Sequence, residues 1–266
     1  MDLTNVRMVV TDMDGTLLNP KHEVSERFYE LFEALSAKGI RFVAASGRQY
    51  QSIIDKLGSI ADRLVIIAEN GGFAMENGTE LLSTPLPSDL RNRVLHTLHP
   101  VPDIHPVLCG KHNAYVRGHS ERFLDKLREY YSDFEILDDL SAHQGEIMKI
   151  AVYHFESSEK FIYPRVRDFE TELKVKVSGE NWVDLSHKDA HKGHALGIIQ
   201  HRMGIGPAQT MVFGDYNNDL EMLAMAEYSF AMANSHPNVL KAARYRTLSN
   251  EEMGVERVLE QLEAQL

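Results

Sequence analysis

Asp12 and Asp14 stand two residues apart in the run Asp12-Met13-Asp14-Gly15-Thr16, directly after the apolar stretch Val6-Arg7-Met8-Val9-Val10. Carboxylates at the carboxyl end of a buried strand cost desolvation energy, so packing alone does not account for them. As chemistry they fit a nucleophile, a metal ligand and a proton carrier. Carboxylates that attack phosphorus form aspartyl phosphates, and a residue two positions on reaches the leaving-group oxygen from the other side of the turn. Asp-Gly pairs also cap turns, and on this run alone the two readings stand level.

Three further runs have complementary chemistry. Ser46-Gly47-Arg48 follows a second apolar run, Ile40 to Ala45. Ser46 with Gln49 three residues later matches a capping box, and a helix start bearing a glycine amide and a hydroxyl is also a ready anion site. Lys192 falls in the first turn of a helix for which Asp189 is the expected N-cap. A cation there opposes the helix dipole at a cost of about 0.3–1 kcal/mol. Either the lysine is simply solvated, or its charge faces a bound phosphate. Gly214-Asp215-Tyr216-Asn217-Asn218-Asp219 follows a late apolar run. Its two aspartates are either caps or, with Asp12, a hard oxygen-ligand set of the kind Mg²⁺ takes. Asn218 can donate to a phosphate.

These residues need elements to hold them. Residues 6–11 read as a buried strand. Residues 25–38 read as a helix with Phe28, Leu31, Phe32 and Leu35 on one face, Ser25 as N-cap and Gly39 just past its end. A strand at 40–45, a helix carrying Tyr50, Ile53, Ile54 and Leu57, and a strand at 64–68 follow. Strand-helix alternation with short links implies a parallel sheet covered on both faces. Ligands gather beyond the carboxyl ends of such strands, where Asp12, Ser46 and Glu69-Asn70-Gly71 fall. The rhythm returns with a helix at 192–203, a strand at 210–213, a helix at 220–226 and a strand at 228–233. Between these halves, five prolines from Pro85 to Pro106 precede strand-like runs at 147–153 and 173–177, and Leu124, Leu127, Tyr130 and Tyr131 suggest a helix. Alternation in the second run points to an antiparallel sheet with one wet face. The expected organisation is a core of residues 1–82 and 188–266 with an inserted α+β domain at 83–187.

Composition narrows the partners. The 266 residues carry a formal charge of −11, which disfavours nucleic acid and anionic membranes and means that a phosphate site needs local positive charge. Cys109 is the only cysteine, so no internal disulfide forms and a reducing compartment fits. The N-terminus shows no leader pattern and no run is apolar enough to span a bilayer, so a soluble, cytoplasmic protein is expected. No spacing among the thirteen histidines makes a zinc site, and the oligomeric state is not readable.

Asp12-Met13-Asp14-Gly15-Thr16-Leu17-Leu18, Ser46-Gly47-Arg48, Glu69-Asn70-Gly71-Gly72, His191-Lys192-Gly193 and the run Gly214 to Asp219, in this order, resemble the haloacid dehalogenase superfamily of phosphatases. The particular likeness is to its Cof-like branch of sugar phosphatases. Ala231-Met232-Ala233-Asn234 and Asn250-Glu251-Glu252-Met253-Gly254-Val255 also look like that branch. The resemblance covers the core end to end and shows no departure at a catalytic position. The segment Ala233 to His236 varies from the branch's commoner wording and carries no assigned chemistry.

The resemblance implies a Rossmann-like parallel-sheet core with an inserted α/β cap of the C2 type. It implies Mg²⁺ held by the Asp12 carboxylate, the Asp14 backbone carbonyl and Asp215, with Asp219 nearby. Lys192, Ser46, the Gly47 amide and Asn218 would surround the phosphoryl oxygens. Asp12 would attack while Asp14 protonates the leaving alcohol and then activates water. Asp14 must therefore start protonated, which the Asp12 charge and partial burial would favour. The cap would close over the site and exclude water. Trp182, His112, Tyr115, Arg117 and His187 are its candidates to touch a sugar, although Trp182 reads equally as core. The expected substrate is a small phosphorylated metabolite, a sugar phosphate first. The rivals are a phosphohexomutase on the same core, which returns the phosphoryl group to sugar, and a receiver-like module that holds phosphate on Asp12.

Overall fold

Contacts divide the chain into two units, residues 1–82 with 191–266, and residues 83–190. The computed structural model describes every residue except 119, 129, 130 and 132, so the expected helical position Tyr130 lies outside the described residues.

The first unit begins with β1 (Met8–Asp12), α1 (Glu26–Ala37), β2 (Arg41–Ala45), α2 (Tyr50–Leu57), β3 (Val65–Ala68), β4 (Phe73–Glu76) and β5 (Thr79–Ser83). β1 is buried along its whole length, as a strand covered on both faces requires. Ser25 caps α1 by accepting from the Phe28 amide, and Gly39, at φ +85°, turns the chain just beyond the helix end. The buried face of α1 is Phe28, Leu31, Phe32 and Leu35, the spacing read from the sequence.

The second unit contains α3 (Ser88–Leu98), β6 (Ile104–Gly110), β7 (Ala114–Val116), α4 (Glu121–Leu127), β8 (Phe134–Ile136), β9 (Ile147–His154), α5 (Ser158–Phe161), α6 (Tyr163–Val166), β10 (Leu173–Val177) and β11 (Trp182–His187). Its sheet runs β10-β11-β9-β6-β7-β8, antiparallel except between β7 and β8. Alternation puts Leu108, Ile150 and Val152 against α3 and α6, and Val107, Cys109 and Tyr153 against α4.

The chain then returns to the first unit with α7 (Lys192–Met203), β12 (Thr210–Gly214), α8 (Leu220–Leu223), β13 (Tyr228–Ala231), α9 (Pro237–Ala242), β14 (Tyr245–Arg246) and α10 (Gly254–Glu263). The completed sheet has the order β14-β13-β12-β1-β2-β3-β4-β5. Strands β14 to β3 are parallel, and β4 runs antiparallel to β3. Strand order therefore reverses between β1 and β12. A crevice opens beyond the carboxyl ends of the strands at such a switch point, and Asp12 and Asp215 stand on either side of it. Among the described residues no helix is long and apolar enough to cross a membrane.

Two helix starts differ from the sequence expectation. α2 begins at Tyr50, with Gln49 as an N-cap that makes no side-chain bond. Ser46 does not cap it, because residues 46–48 bond to the 69–70 turn: the Glu69 amide donates to the Arg48 carbonyl and the Asn70 amide to that of Ser46. α7 is capped by His191, whose Nδ1 accepts from the His194 amide at 3.1 Å. Asp189 sits in the preceding turn, where its amide donates to His187 Nδ1. α8 starts at Leu220 as expected but ends at Leu223, three residues early, and Asn217–Asp219 form a separate 3₁₀ turn before it.

Gly71 ties the 69–71 turn to the start of α7. It has φ +99°, and a Cβ there would lie 2.3 Å from the His191 carbonyl oxygen. Gly71→Ala is therefore expected to destabilise the protein by about 1–3 kcal/mol through backbone strain and overpacking. Urea unfolding measures this, and an unchanged midpoint would show that the turn and helix can part freely.

Candidate active site

β1 ends on Asp12, which is 5% exposed, and β12 ends just before Asp215. Asp219, fully buried, closes the 3₁₀ turn that follows. One oxygen from each of these three carboxylates lies within 4.8 Å of the others. Lys192, also fully buried, reaches in from the first residue of α7 and donates to Asp12 Oδ1 at 2.5 Å and Asp219 Oδ1 at 2.7 Å. The misplaced cation of the sequence reading thus meets two carboxylates. Asp219 Oδ2 accepts from the Asp215 and Tyr216 amides at 3.0 and 3.1 Å, so this residue also shapes the loop that presents Asp215. Thr16 Oγ1 donates to Asp215 Oδ1 at 2.9 Å. Gly15, at φ +81°, leaves room for the Asp215 carboxylate, since a Cβ there would come within 2.4 Å of Oδ2.

Three carboxylates against one ammonium leave excess negative charge in a place with little water. Burial raises the pKa of Asp12; Lys192 opposes this, and the charges of Asp219 and Asp215 add to it. Burial and the Asp219 charge push Asp215 up to about 6. Burial alone would lower Lys192, but Asp12 and Asp219 outweigh it and hold the amine protonated well above neutral pH. Hard oxygen donors carrying surplus negative charge fit a divalent cation.

Asp14 turns away from this cluster. Arg48 grips it with two hydrogen bonds, Nε to Oδ2 at 2.7 Å and Nη2 to Oδ1 at 2.6 Å, and His22 Nδ1 lies 3.3 Å from Oδ1. Burial would raise its pKa, but the hydrogen bonds and charge of Arg48, with His22, hold it below the usual carboxylate value. The expectation that Asp14 starts protonated is thereby corrected for the protein without substrate. A bidentate guanidinium, helped by His22, outweighs partial burial.

Ser46 is buried beside this pair, with Oγ accepting from the Arg48 amide at 3.1 Å. Gly47 packs against the Asn70 side-chain amide, which a Cβ would approach to 3.0 Å. Asn218 Nδ2 donates to Asn70 Oδ1 at 3.0 Å, so the donor read as facing phosphate is engaged by a side chain here. Glu69, Asn70 and Gly71 all have positive φ, at 49°, 56° and 99°. Consecutive left-handed residues are costly and mark a turn held by its surroundings. Asp12, Asp14, Ser46, Gly47, Lys192, Asp215, Asn218 and Asp219 all belong to the first unit.

The five leaving-group candidates lie in the second unit. Trp182 packs edge-on against Tyr153, with ring centroids 4.8 Å apart, and Tyr115 packs against His143 at 4.0 Å. His112 is exposed, while Arg117 and His187 are partly buried. Sequence reasoning gave no role to Thr16, His22, Arg48 or Asn70. Arg48 carried the one usable signal, a cation just past a strand end in a neighbourhood of carboxylates.

A family model described as haloacid dehalogenase-like hydrolase matches residues 9–259. The chain is 31% identical over 261 residues to the 5-amino-6-(5-phospho-D-ribitylamino)uracil phosphatase YbjI of Escherichia coli (strain K12), covering 97% of this chain and 96% of that one. It is 26% identical to the HMP-PP phosphatase of Serratia proteamaculans (strain 568), covering 88% and 86%. The solved structure of SMU.1108c from Streptococcus mutans UA159 superposes with a TM-score of 0.84 at 30% identity, covering 97% of this chain and 99% of that one.

Proposed function

This chain belongs to the haloacid dehalogenase-like hydrolases and is a phosphoric monoester hydrolase, and we propose that it is a Mg²⁺-dependent phosphatase of small phosphorylated metabolites, sugar phosphates first, working through an aspartyl phosphate on Asp12. The observation that carries this reading is the meeting of Asp12, Asp215 and Asp219 around a fully buried Lys192. A relative named for a phosphate carried on a ribityl chain supports an ester on a polyol as the substrate class.

Asp12, the Asp14 backbone carbonyl and Asp215 would hold Mg²⁺, with Asp219 behind them. The cation supplies positive charge against the phosphoryl oxygens. Lys192, Ser46, the Gly47 amide and Asn218 would share that task, Asn218 by exchanging Asn70 for phosphate. Stabilising charge on these oxygens is the main demand of phosphoryl transfer. Asp12 would attack phosphorus in line, and its Oδ would form the new ester bond as the bond to the leaving oxygen breaks. Asp14, released from Arg48 and protonated, would give its proton to that oxygen and then take one from the water that hydrolyses the ester. Residues 83–187 would act as the cap that selects the leaving group.

The test is a phosphate-release screen over sugar, nucleotide and cofactor monoesters with Mg²⁺ or with chelator. Metal-dependent release of free phosphate is expected. An isomeric sugar phosphate would instead identify a mutase, and no turnover of any ester would overturn the substrate class.

Metal binding should also be pH-dependent in a set direction. Asp215, with its pKa near 6, is largely protonated at pH 5.5 and ionised at pH 7.5. A cation must displace that proton, so metal affinity should be weaker at pH 5.5 by about fourfold from this residue alone. The rise in Tm caused by a fixed, subsaturating Mg²⁺ concentration should be larger at pH 7.5. Equal shifts at both pH values would remove Asp215 from the ligand set.

A further inference from the structure

We propose that Asn234 and Asn250 form a bracket that positions the Asp12–Leu18 loop against the Asp215 loop, as positioning residues for the phosphoryl-transfer site. This rests on the assignment of that loop as the reacting one. The loop bonds to itself through the Leu17 amide to the Asp12 carbonyl and the Leu18 amide to that of Met13. Its Gly15 and Leu18 carbonyls are met from the far end of the chain. Asn234 Nδ2 donates to the Gly15 oxygen at 2.8 Å, and Asn250 Nδ2 donates to the Leu18 oxygen at 2.8 Å. The Asn250 amide donates in turn to Asn234 Oδ1 at 3.1 Å, so the two residues are joined and the Asn234 amide has both ends engaged.

The same segment grips the other loop. The Met232 amide and Ser235 Oγ both donate to the Gly214 carbonyl, each at 3.3 Å, and the His236 amide donates to that of Asp215 at 2.8 Å. Residues 232–236 thus hold Gly15 on one side and Gly214-Asp215 on the other, and thereby set the spacing between Asp12 and Asp215. The Gly15–Asp215 approach leaves no slack in that spacing. This gives physical content to two runs, Ala233 to His236 and the one beginning at Asn250, to which sequence reasoning assigned no chemistry. Asn234 is exposed and Asn250 half-buried, so neither is core. Their amides matter for where they hold the loop, and misplacing reacting groups by about 1 Å can cost about 100-fold in rate.

Asn234→Ala, Asn250→Ala and the double variant test this, with p-nitrophenyl phosphate turnover in Mg²⁺ and hydrogen–deuterium exchange read on each. Each single variant should lower kcat by about 10- to 100-fold with KM within about threefold. The double variant should cost little more than the worse single one, because the two residues act as a unit. The amides of Leu17 and Leu18 should exchange at least about tenfold faster while those of β1 and β2 keep their protection. Each single variant breaks the bracket alone, so either suffices if the other does not fold. Loop exchange unchanged from wild type, or kcat within about threefold of it, would overturn the bracket. Inactive wild-type protein would overturn the phosphatase reading instead, and the exchange data would still decide whether the bracket holds the loop.

Discussion

Asp12→Asn is expected to abolish turnover, lowering kcat by at least about 10⁴-fold, because in the proposed mechanism it removes the attacking oxygen. An amide of the same shape cannot form the ester and is a poor ligand for a hard cation. The fold should survive. Asp12 lies in a cluster with surplus negative charge, and Lys192 keeps its bond to Asp219 at 2.7 Å when Asp12 is neutral. The variant should therefore unfold within about 1 kcal/mol of wild type in chelator, since losing one hydrogen bond is offset by less repulsion. Acid-quenched wild type incubated with a labelled phosphate ester should carry label on the Asp12 peptide, and the variant should carry none. A variant retaining more than about one-hundredth of the activity would remove Asp12 from the nucleophile's role.

Lys192→Met is the second large effect, and it strikes stability and rate together. The side chain keeps its length and apolar stem but loses the ammonium between Asp12 and Asp219, all three groups being buried. Breaking a buried ion pair from one side typically costs about 3–5 kcal/mol, because the remaining charge is left uncompensated. Urea unfolding in chelator should show a loss of that size. Saturating Mg²⁺ should recover part of it, since a cation that binds only the folded cluster restores the missing charge. Turnover should fall by about 10²- to 10³-fold even in Mg²⁺, through loss of the fixed cation proposed to face the phosphoryl oxygens. A stability loss under about 1 kcal/mol in chelator would show that the carboxylates had simply taken up protons, and would contradict a structural role for the lysine's charge.

The two largest expected effects therefore fall on residues that sequence reasoning had selected, whereas several of the contacts around them were not legible in it. α1 illustrates the legible kind. Ser25, the Phe28-Leu31-Phe32-Leu35 face and Gly39 act within one helix length, and the structure uses each as read. The parallel strands were legible because unbroken runs such as Met8–Asp12 leave no wet face. Helix starts failed where a distant partner intervened. Ser46 had the composition of a cap, but its segment bonds to the 69–70 turn, and α2 begins four residues later. Asp14 had the sequence context of a raised carboxyl, but Arg48, 34 residues away, holds it ionised.

Taken by itself, the sequence determined the strand–helix alternation from β1 to β3 and from α7 to β13, the placing of carboxylates at strand ends, and, through the order of its motifs, the resemblance to the family. All of these follow from periodicity, turn chemistry and motif order along short stretches of chain. Tertiary structure alone decided which polar groups meet: Lys192 with Asp12 and Asp219, Arg48 with Asp14, Asn218 with Asn70, and Asn234 with Gly15. Hydrogen bonds and ion pairs act over a few ångströms of space, while these partners stand 27 to 219 residues apart in the chain. Only the winding of the sheet around the junction of β1 and β12 brings them within reach.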